Sequence, residues 1–500
     1  MKSLSMIAFD LGASNGRALL GRFDGNRLTV EELYRFANEP VYVVGSLYWD
    51  ILRLYHEVQQ GIRAAFSRTR QLECLGIDSW GVDYGLLDGQ GRLLANPYHY
   101  RDNRTRLGEE RAFSKVSKRD IYYRTGISFE KFNTMFQLVA EKECGDALER
   151  AKTLLFISDL LGYFLTGEIN TDSTMASTSQ LVDVRTRMWS QELLTALGIP
   201  ERVFPAIVAP GTIKGRIRPA VDESRAVGLP VVTVAGHDTA SALAAVPVIV
   251  SAGGGCGTNA AFLSSGTWSL MGVEVDEPII NDQTFRLNYS NEKTLGGYTL
   301  LRNIVGGWLI QGCKQQWEEE DGRGLSYEEI AFAAQEAPPF LAFVDPNAAM
   351  FYSPGSMPAK IVAYCRETGQ ALPDTRGAIA RCIYESLAMT YRKCFFEIEA
   401  ILGKALDTLC VIGGGANNAM VNQFTANALG RPVVCGPVEA TAIGNLLTQA
   451  LALGELGGLA QLREVVYRSF ASTTYLPKDV GHWEEQYHRF TSLLESAKEE

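Results

Sequence analysis

Twice along this chain an apolar strand runs into a short turn of small or hydroxyl-bearing residues and returns as a second strand, and that repetition limits the fold more than any other feature. In the first pass, residues 6–10 lead into a turn through Gly12 and Gly16, and residues 17–22 form the return strand. Asn15-Gly16 favours the positive-φ conformations of a tight reversal. Asp24-Gly25-Asn26 makes a further turn before residues 28–34, which extends the pair to a three-strand antiparallel meander. Asp50 then caps a helix in which Ile51, Leu54, Tyr55, Val58, Ile62 and Phe66 recur at helical spacing. A strand over residues 74–78 follows. The second pass starts near Ala260, turns at Ser264-Ser265-Gly266-Thr267 and returns from Trp268. It continues with an amphipathic helix from about Arg376 to Leu402 and a strand over residues 408–412. Strands first, then helix and strand in alternation, predict an α/β fold with mixed sheets backed by helices. The repetition predicts an internal duplication with its boundary near residues 245–258, where Gly253-Gly254-Gly255-Cys256-Gly257 suits a connection. The last residues, from Trp483, read as an amphipathic terminal helix.

A chain of 500 residues exceeds one ordinary hydrophobic core, so two domains are expected, over residues 1–245 and 246–500. The net charge of -10 and the scatter of Lys and Arg argue against a nucleic-acid partner. They leave ATP open, because a local nest of backbone N–H groups and a metal can hold phosphates in an acidic protein. Asp10 arrives before any apolar run could serve as a signal peptide, so a cytoplasmic location is expected. Residues 231–250 are too interrupted, by His237-Asp238-Thr239 and Pro247, to cross a membrane. Nine cysteines without a C-x-x-C pair suit reduced thiols, and five histidines without H-E-x-x-H give a zinc hydrolase no support.

Four stretches carry candidate chemistry. Asp10 ends a strand, and Ala13-Ser14-Asn15-Gly16-Arg17 follows with side chains small enough for backbone N–H groups to approach a phosphate; Asp10 is placed to bind Mg²⁺, through water. Ser264 to Ser269, including Thr267, occupies the matching point of the second pass. Gly413-Gly414-Gly415, between a strand and a helix, permits flat contact with an adenine or ribose. Gly236-His237-Asp238-Thr239 ends an apolar strand, where Asp238 suits a general base that takes a sugar hydroxyl's proton. Each also reads as an ordinary turn, cap or packing glycine when taken alone. Trp80-Gly81-Val82-Asp83 offers a glycine for a sugar to lie against. Asn303, Gly307 and Gln311 are spaced to share one helix face. No G-x-x-x-x-G-K-[S/T] occurs, so a P-loop is excluded.

Taken together, residues 10–17, Trp80 to Asp83, Tyr100-Arg101-Asp102-Asn103-Arg104-Thr105, Gly236 to Thr239, residues 264–270, Asn303 to Gln311 and residues 413–418 resemble the FGGY carbohydrate kinases in order over nearly the whole chain. The resemblance implies two ribonuclease-H-like domains of the actin-like ATPase kind with a cleft between them. It implies ATP and Mg²⁺ and transfer of the γ-phosphoryl group to the 1-hydroxyl of L-rhamnulose, with L-fuculose or a pentulose as alternative acceptors. It assigns ATP contacts to Ala13, Ser14, Asn15, Gly16, Arg17, Thr267, Gln311 and Gly414. Sugar contacts fall to Gly81, His237, Asp238, Thr239 and Asn303, with Asp238 as proton acceptor. The terminal helix is expected to pack back on the first domain, and the chain to act as a monomer or homodimer. A non-catalytic sensor or an assembly protein on the same fold is the competing class.

Overall fold

The computed structural model describes residues 3–219, 221, 223–247, 259–352 and 355–496. The glycine-rich connection at residues 253–257 lies outside them. The chain divides into two compact units. The first comprises Met1–Ala245, Glu274–Leu300 and Glu439–Phe470, and the second Val246–Val273, Leu301–Val438 and Ala471–Glu500. Glu274–Leu300 and Glu439–Phe470 thus group with the first unit, unlike the expected unbroken domain over residues 246–500.

The first unit is built on a six-stranded sheet in the order β5-β6-β4-β1-β2-β3. Its strands are β1 (Leu4–Leu11), β2 (Asn15–Phe23), β3 (Leu28–Ala37), β4 (Cys74–Ser79), β5 (Thr212–Arg216) and β6 (Pro230–Thr233). β1, β2 and β3 form the antiparallel meander, while β4 runs parallel to β1 and β6 parallel to β4. The Asn15-Gly16 expectation is corrected here: both residues already belong to β2, and the turn closes earlier, with Gly12 N–H donating to Asn15 O at 2.8 Å. Glycine is needed at 16 for space, since a Cβ there would fall 2.2 Å from the Phe36 ring. The helix Ile51–Arg68 starts at Asp50, whose side chain accepts from Arg53 N–H. Its Ile51, Leu54, Val58, Ile62 and Phe66 join Ile7, Phe9, Leu20 and Leu75 in one core.

The returning segment explains its own grouping. The helix Ala440–Ala452 lies against this sheet: Gln449 Nε2 donates to Ile7 O at 2.8 Å, and the Cys74 thiol donates to Gln449 Oε1 at 3.2 Å. The same helix meets the helix Asp238–Ala244 at Gly444, where an added Cβ would stand 1.8 Å from Ser241 O. Only glycine permits that approach.

The second unit repeats the plan. The hairpin β7 (Ala260–Ser265) and β8 (Trp268–Val275) is antiparallel, and β9 (Thr408–Ile412) runs parallel to β7. β10 (Val433–Cys435) is parallel to β9, and β11 (Thr473–Tyr475) closes that edge antiparallel. The order hairpin, helix and parallel strand beside the first strand therefore recurs, as the sequence repetition implies. The helix Arg376–Leu402 begins at Thr375, which accepts from Ala378 N–H, and ends at Gly403 in the left-handed region. The terminal helix Val480–Ser496 packs within this second unit, with Trp483 and Phe490 buried against Phe340, Phe343, Met389 and Ala428. This replaces the expected packing on the first domain: its apolar stripe finds partners on neighbouring helices and a loop of its own unit.

Among the described residues no helix is long and apolar enough to cross a membrane. The expectation of reduced thiols is not met at Cys410 on β9, which is disulfide-bonded, whereas among the described residues Cys74, Cys144, Cys313, Cys365, Cys382, Cys394 and Cys435 are free. Disulfides follow the approach of side chains in the folded chain, which spacing along the sequence does not report.

Candidate active site

In the first unit the parallel strands β1, β4 and β6 deliver their polar residues to one edge of the sheet. Asp10 of β1 and Asp78 of β4 are partners in the strand register, and His237 bridges to Ser79 at the end of β4. Asp238 follows at the first turn of the helix Asp238–Ala244. Carboxyl ends of parallel strands are where open α/β sheets place their ligands.

The three carboxylates sit in different electrostatic surroundings. Asp10 accepts from the Arg17 guanidinium, which also pairs with Glu439. Asp78 is fully buried: Asn445 Nδ2 donates to Oδ2 at 2.5 Å, and Oδ1 has no partner. Burial, with the negative charges of Asp10 and Asp238, holds its carboxyl well above the usual range. Asp238 is pushed up to about 7 by desolvation and by the charge of Asp10. A third of its side chain remains open, so its proton can exchange with solvent. Thr239 donates both its N–H, at 2.6 Å, and its hydroxyl, at 3.3 Å, to Asp238 Oδ1. Thr239 therefore orients the carboxylate.

Behind Asp238, the buried Asp172 accepts from Gly236 N–H at 2.9 Å, and Thr174 Oγ1 accepts from His237 N–H at 3.1 Å, which fixes the backbone leading to the acid. Gly81 borders Thr178, whose hydroxyl accepts from Val82 N–H at 3.3 Å. Val82 has φ 69°, a left-handed conformation that a β-branched residue adopts only under strain. Asp83 anchors the adjoining aromatic wall. It accepts from the indoles of Trp49 and Trp80 at 2.6 and 3.0 Å, from Tyr100 N–H at 3.1 Å and from Gln137 at 2.8 Å. Gly81, His237, Asp238 and Thr239 thus lie in the first unit, as does the turn carrying Ala13, Ser14, Asn15, Gly16 and Arg17. In that turn Asn38 N–H donates to Ser14 O at 3.1 Å, and Arg35 to Asn15 Oδ1 at 3.1 Å. Arg17 is engaged by three carboxylates, Asp10, Glu32 and Glu439. Asp10 likewise serves an ion pair, and among the described residues no group of three or more His, Cys, Asp or Glu could hold a metal.

The second unit holds Thr267, Gln311, Gly414 and Asn303. The β7–β8 turn docks on the start of the helix Trp308–Asp321: Gly307 N–H donates to Gly266 O at 3.0 Å and Trp308 N–H to Thr267 O at 3.1 Å. Gln311 lies one helical turn on, its N–H donating to Gly307 O. The glycines after β9 press on the same hairpin, since a Cβ at Gly415 would fall 2.0 Å from Ser265 Oγ. Gly414 between them faces open space. Thr267, Gln311 and Gly414 consequently border one hairpin end. Asn303 departs from expectation: it lies on the strand Tyr298–Val305, not on a helix face shared with Gln311. Gly306 and Gly307 interrupt the apparent helical spacing, and the helix begins only at Trp308.

The motifs overlooked Asp78, Glu292, Glu439 and Asn445. Asp78 was visible as a carboxylate closing the strand at residues 74–78. The other three reach the site from segments with no local signature.

Solved structures share the fold. A ligand-bound xylulose kinase from Lactobacillus acidophilus matches with a TM-score of 0.80 at 17% identity, covering 98% of both chains. A glycerol kinase from Plasmodium falciparum matches with a TM-score of 0.74 at 17% identity, covering 99% of this chain and 98% of its own. These likenesses define the fold class as two-unit α/β. Residues 5–245 match the N-terminal domain of the FGGY family of carbohydrate kinases, and residues 261–453 its C-terminal domain. A rhamnulokinase from Bacteroides thetaiotaomicron is 43% identical over 98% of this chain and 99% of its own, and one from Bacillus subtilis is 39% identical over 95% of each. The chain belongs to the FGGY family of carbohydrate kinases.

Proposed function

We propose that this chain transfers the γ-phosphoryl group of ATP to the 1-hydroxyl of L-rhamnulose, giving L-rhamnulose 1-phosphate and ADP. The observation that carries the reading is Asp238, an oriented carboxylate at a sheet edge with its affinity for a proton raised to about 7. A base so tuned takes a hydroxyl proton near neutral pH. The rhamnulokinase relatives support L-rhamnulose as the acceptor. Sugar recognition falls to Gly81, His237, Asp238, Thr239 and Asn303, and ATP recognition to Ala13 through Arg17, Thr267, Gln311 and Gly414. The first unit thereby carries the base and most sugar contacts. Use of ATP fits a cytoplasmic setting, as a monomer or homodimer.

Asp238 accepts the proton as the hydroxyl oxygen attacks the γ-phosphorus, while Thr239 keeps its Oδ1 aimed. Arg17, released in part from Asp10 and Glu439, balances phosphate charge. Mg²⁺ is typically held through one or two carboxylates plus substrate phosphates and water. Asp10, beside the buried, unpartnered Asp78 Oδ1, fits such partial ligation. When bound, the ion would neutralise charge on the transferring group.

An ADP-release assay over L-rhamnulose, L-fuculose and L-xylulose tests the assignment, with the highest kcat/KM expected for L-rhamnulose. Asp238→Asn is expected to lower kcat by about 10²–10⁴-fold and to leave ADP binding by calorimetry intact. Turnover close to the parent's would remove Asp238 as the base.

A further inference from the structure

Glu292 enters the first unit from the strand Ser290–Lys293, outside every motif above. It is buried, and its Oε1 accepts from Ser290 Oγ at 3.1 Å. Its Oε2 makes no hydrogen bond and lies 3.4 Å from His237 Nδ1. Across the same ring, Nε2 lies 3.5 Å from Asp238 Oδ1. An imidazole therefore stands between two carboxylates, one the base and the other without an assigned task.

A buried carboxylate oxygen without a donor is costly, and the Nδ1 proton is the group placed to satisfy it. Both separations are slightly long, as catalytic hydrogen bonds often are before substrate tightens them. We propose that Glu292 is a positioning residue for ketose recognition: it accepts the Nδ1 proton of His237 and so leaves the Nε2 lone pair to accept from a sugar hydroxyl next to the one Asp238 deprotonates. The inference rests on the reading of Asp238 as base and His237 as sugar contact.

The chemistry of the ring supports this direction. In a neutral imidazole one nitrogen donates and the other accepts, and the bond at one decides the other. Burial holds His237 below its ordinary proton affinity, in keeping with a neutral ring. A proton on Nε2 would instead point at Asp238 and weaken it as a base. With the proton on Nδ1, Nε2 and Asp238 Oδ1 face each other as two acceptors, an arrangement relieved only when a hydroxyl donor enters. The site then rejects a ketose that lacks that hydroxyl, because its buried acceptors stay unpaired.

Two-bond ¹⁵N–¹H correlation spectra distinguish the tautomers, and with five histidines in the chain the His237 signals are assigned by their loss in His237→Gln. The sugar-free protein is expected to show His237 as the neutral Nδ1–H form, and Glu292→Leu to lose that form. Glu292→Leu is also expected to raise the ketose KM and lower kcat/KM by about 10–100-fold, the range seen when a carboxylate partner of a metal-ligating histidine is removed. The ATP KM should stay within about two-fold. Glu292→Gln, whose amide oxygen accepts the same proton, should recover most of the loss and serves if the leucine variant fails to fold. A neutral Nε2–H ring in the unaltered protein overturns the proposal, as does an unchanged ketose kcat/KM in folded Glu292→Leu. Failure of the underlying reading shows elsewhere, as turnover retained in Asp238→Asn, while the tautomer result stands.

Discussion

Gly444→Ala adds one methyl group to a helix interior, away from every proposed ligand contact, and should nevertheless cripple turnover. On helix propensity alone alanine would gain about 1 kcal/mol over glycine. Here the new Cβ would lie 1.8 Å from Ser241 O and 2.7 Å from Ser241 C. Ordinary contact needs about 3.5 Å between such heavy atoms, so the helix Asp238–Ala244 must withdraw by more than an ångström. Overpacking of this kind costs about 1–3 kcal/mol, which leaves a net loss near 1 kcal/mol and a Tm lower by roughly 1–2 °C for a unit of this size. The larger effect is kinetic, because the displaced helix begins with Asp238. A misplacement of about 1 Å costs on the order of 10² in rate, so kcat should fall about a hundredfold while ADP binding persists. Calorimetric melting and the ADP-release assay read the two effects on one preparation. Unchanged kcat and an unchanged or higher Tm would refute the claim that this crossing positions the base.

Two further outcomes are expected. Glu385, buried in the helix Arg376–Leu402, is pushed up from 4.5 to about 7 by desolvation, although Arg381 and Phe340 N–H donate to it. Because its folded value is raised, its contribution to stability is full below about pH 4.5, declines as pH rises towards 7 and is level above; the change is about 3 kcal/mol. Urea unfolding should show Glu385→Gln losing that component of the pH slope, and parallel profiles would refute it. Trp483→Ala removes an indole that is 4% exposed and packs on Phe340 and Phe424 at centroid distances of 4.9 and 5.2 Å. A loss of about 3–5 kcal/mol is expected from urea unfolding, and an unaltered midpoint would show that the terminal helix is not docked as described.

The parts of the fold legible in the sequence are those with local punctuation. The helix Arg376–Leu402 is bounded by Thr375 and Gly403, whose chemistry stops and starts a helix whatever lies around it. The hairpins and the strand leading to Asp238 are similarly marked. Where tertiary contact decides, local reading falters. Gly16 answers to the ring of Phe36, not to a turn. Asn303 and Gln311 have helical spacing, yet a glycine pair separates strand from helix between them. Glu439 reaches Arg17, and Asn445 reaches Asp78, across more than 360 positions, so no motif window could hold either pair.

The return of Glu439–Phe470 to the first sheet also bears on how the protein is made. A ribosome that has released residues 1–245 has produced strands whose covering helix, with the partners of Ile7, Cys74 and Asp78, is still untranslated. That nascent half must wait for almost the entire message with an apolar face uncovered, and a gene cut at codon 245 would express a half unable to finish its own core.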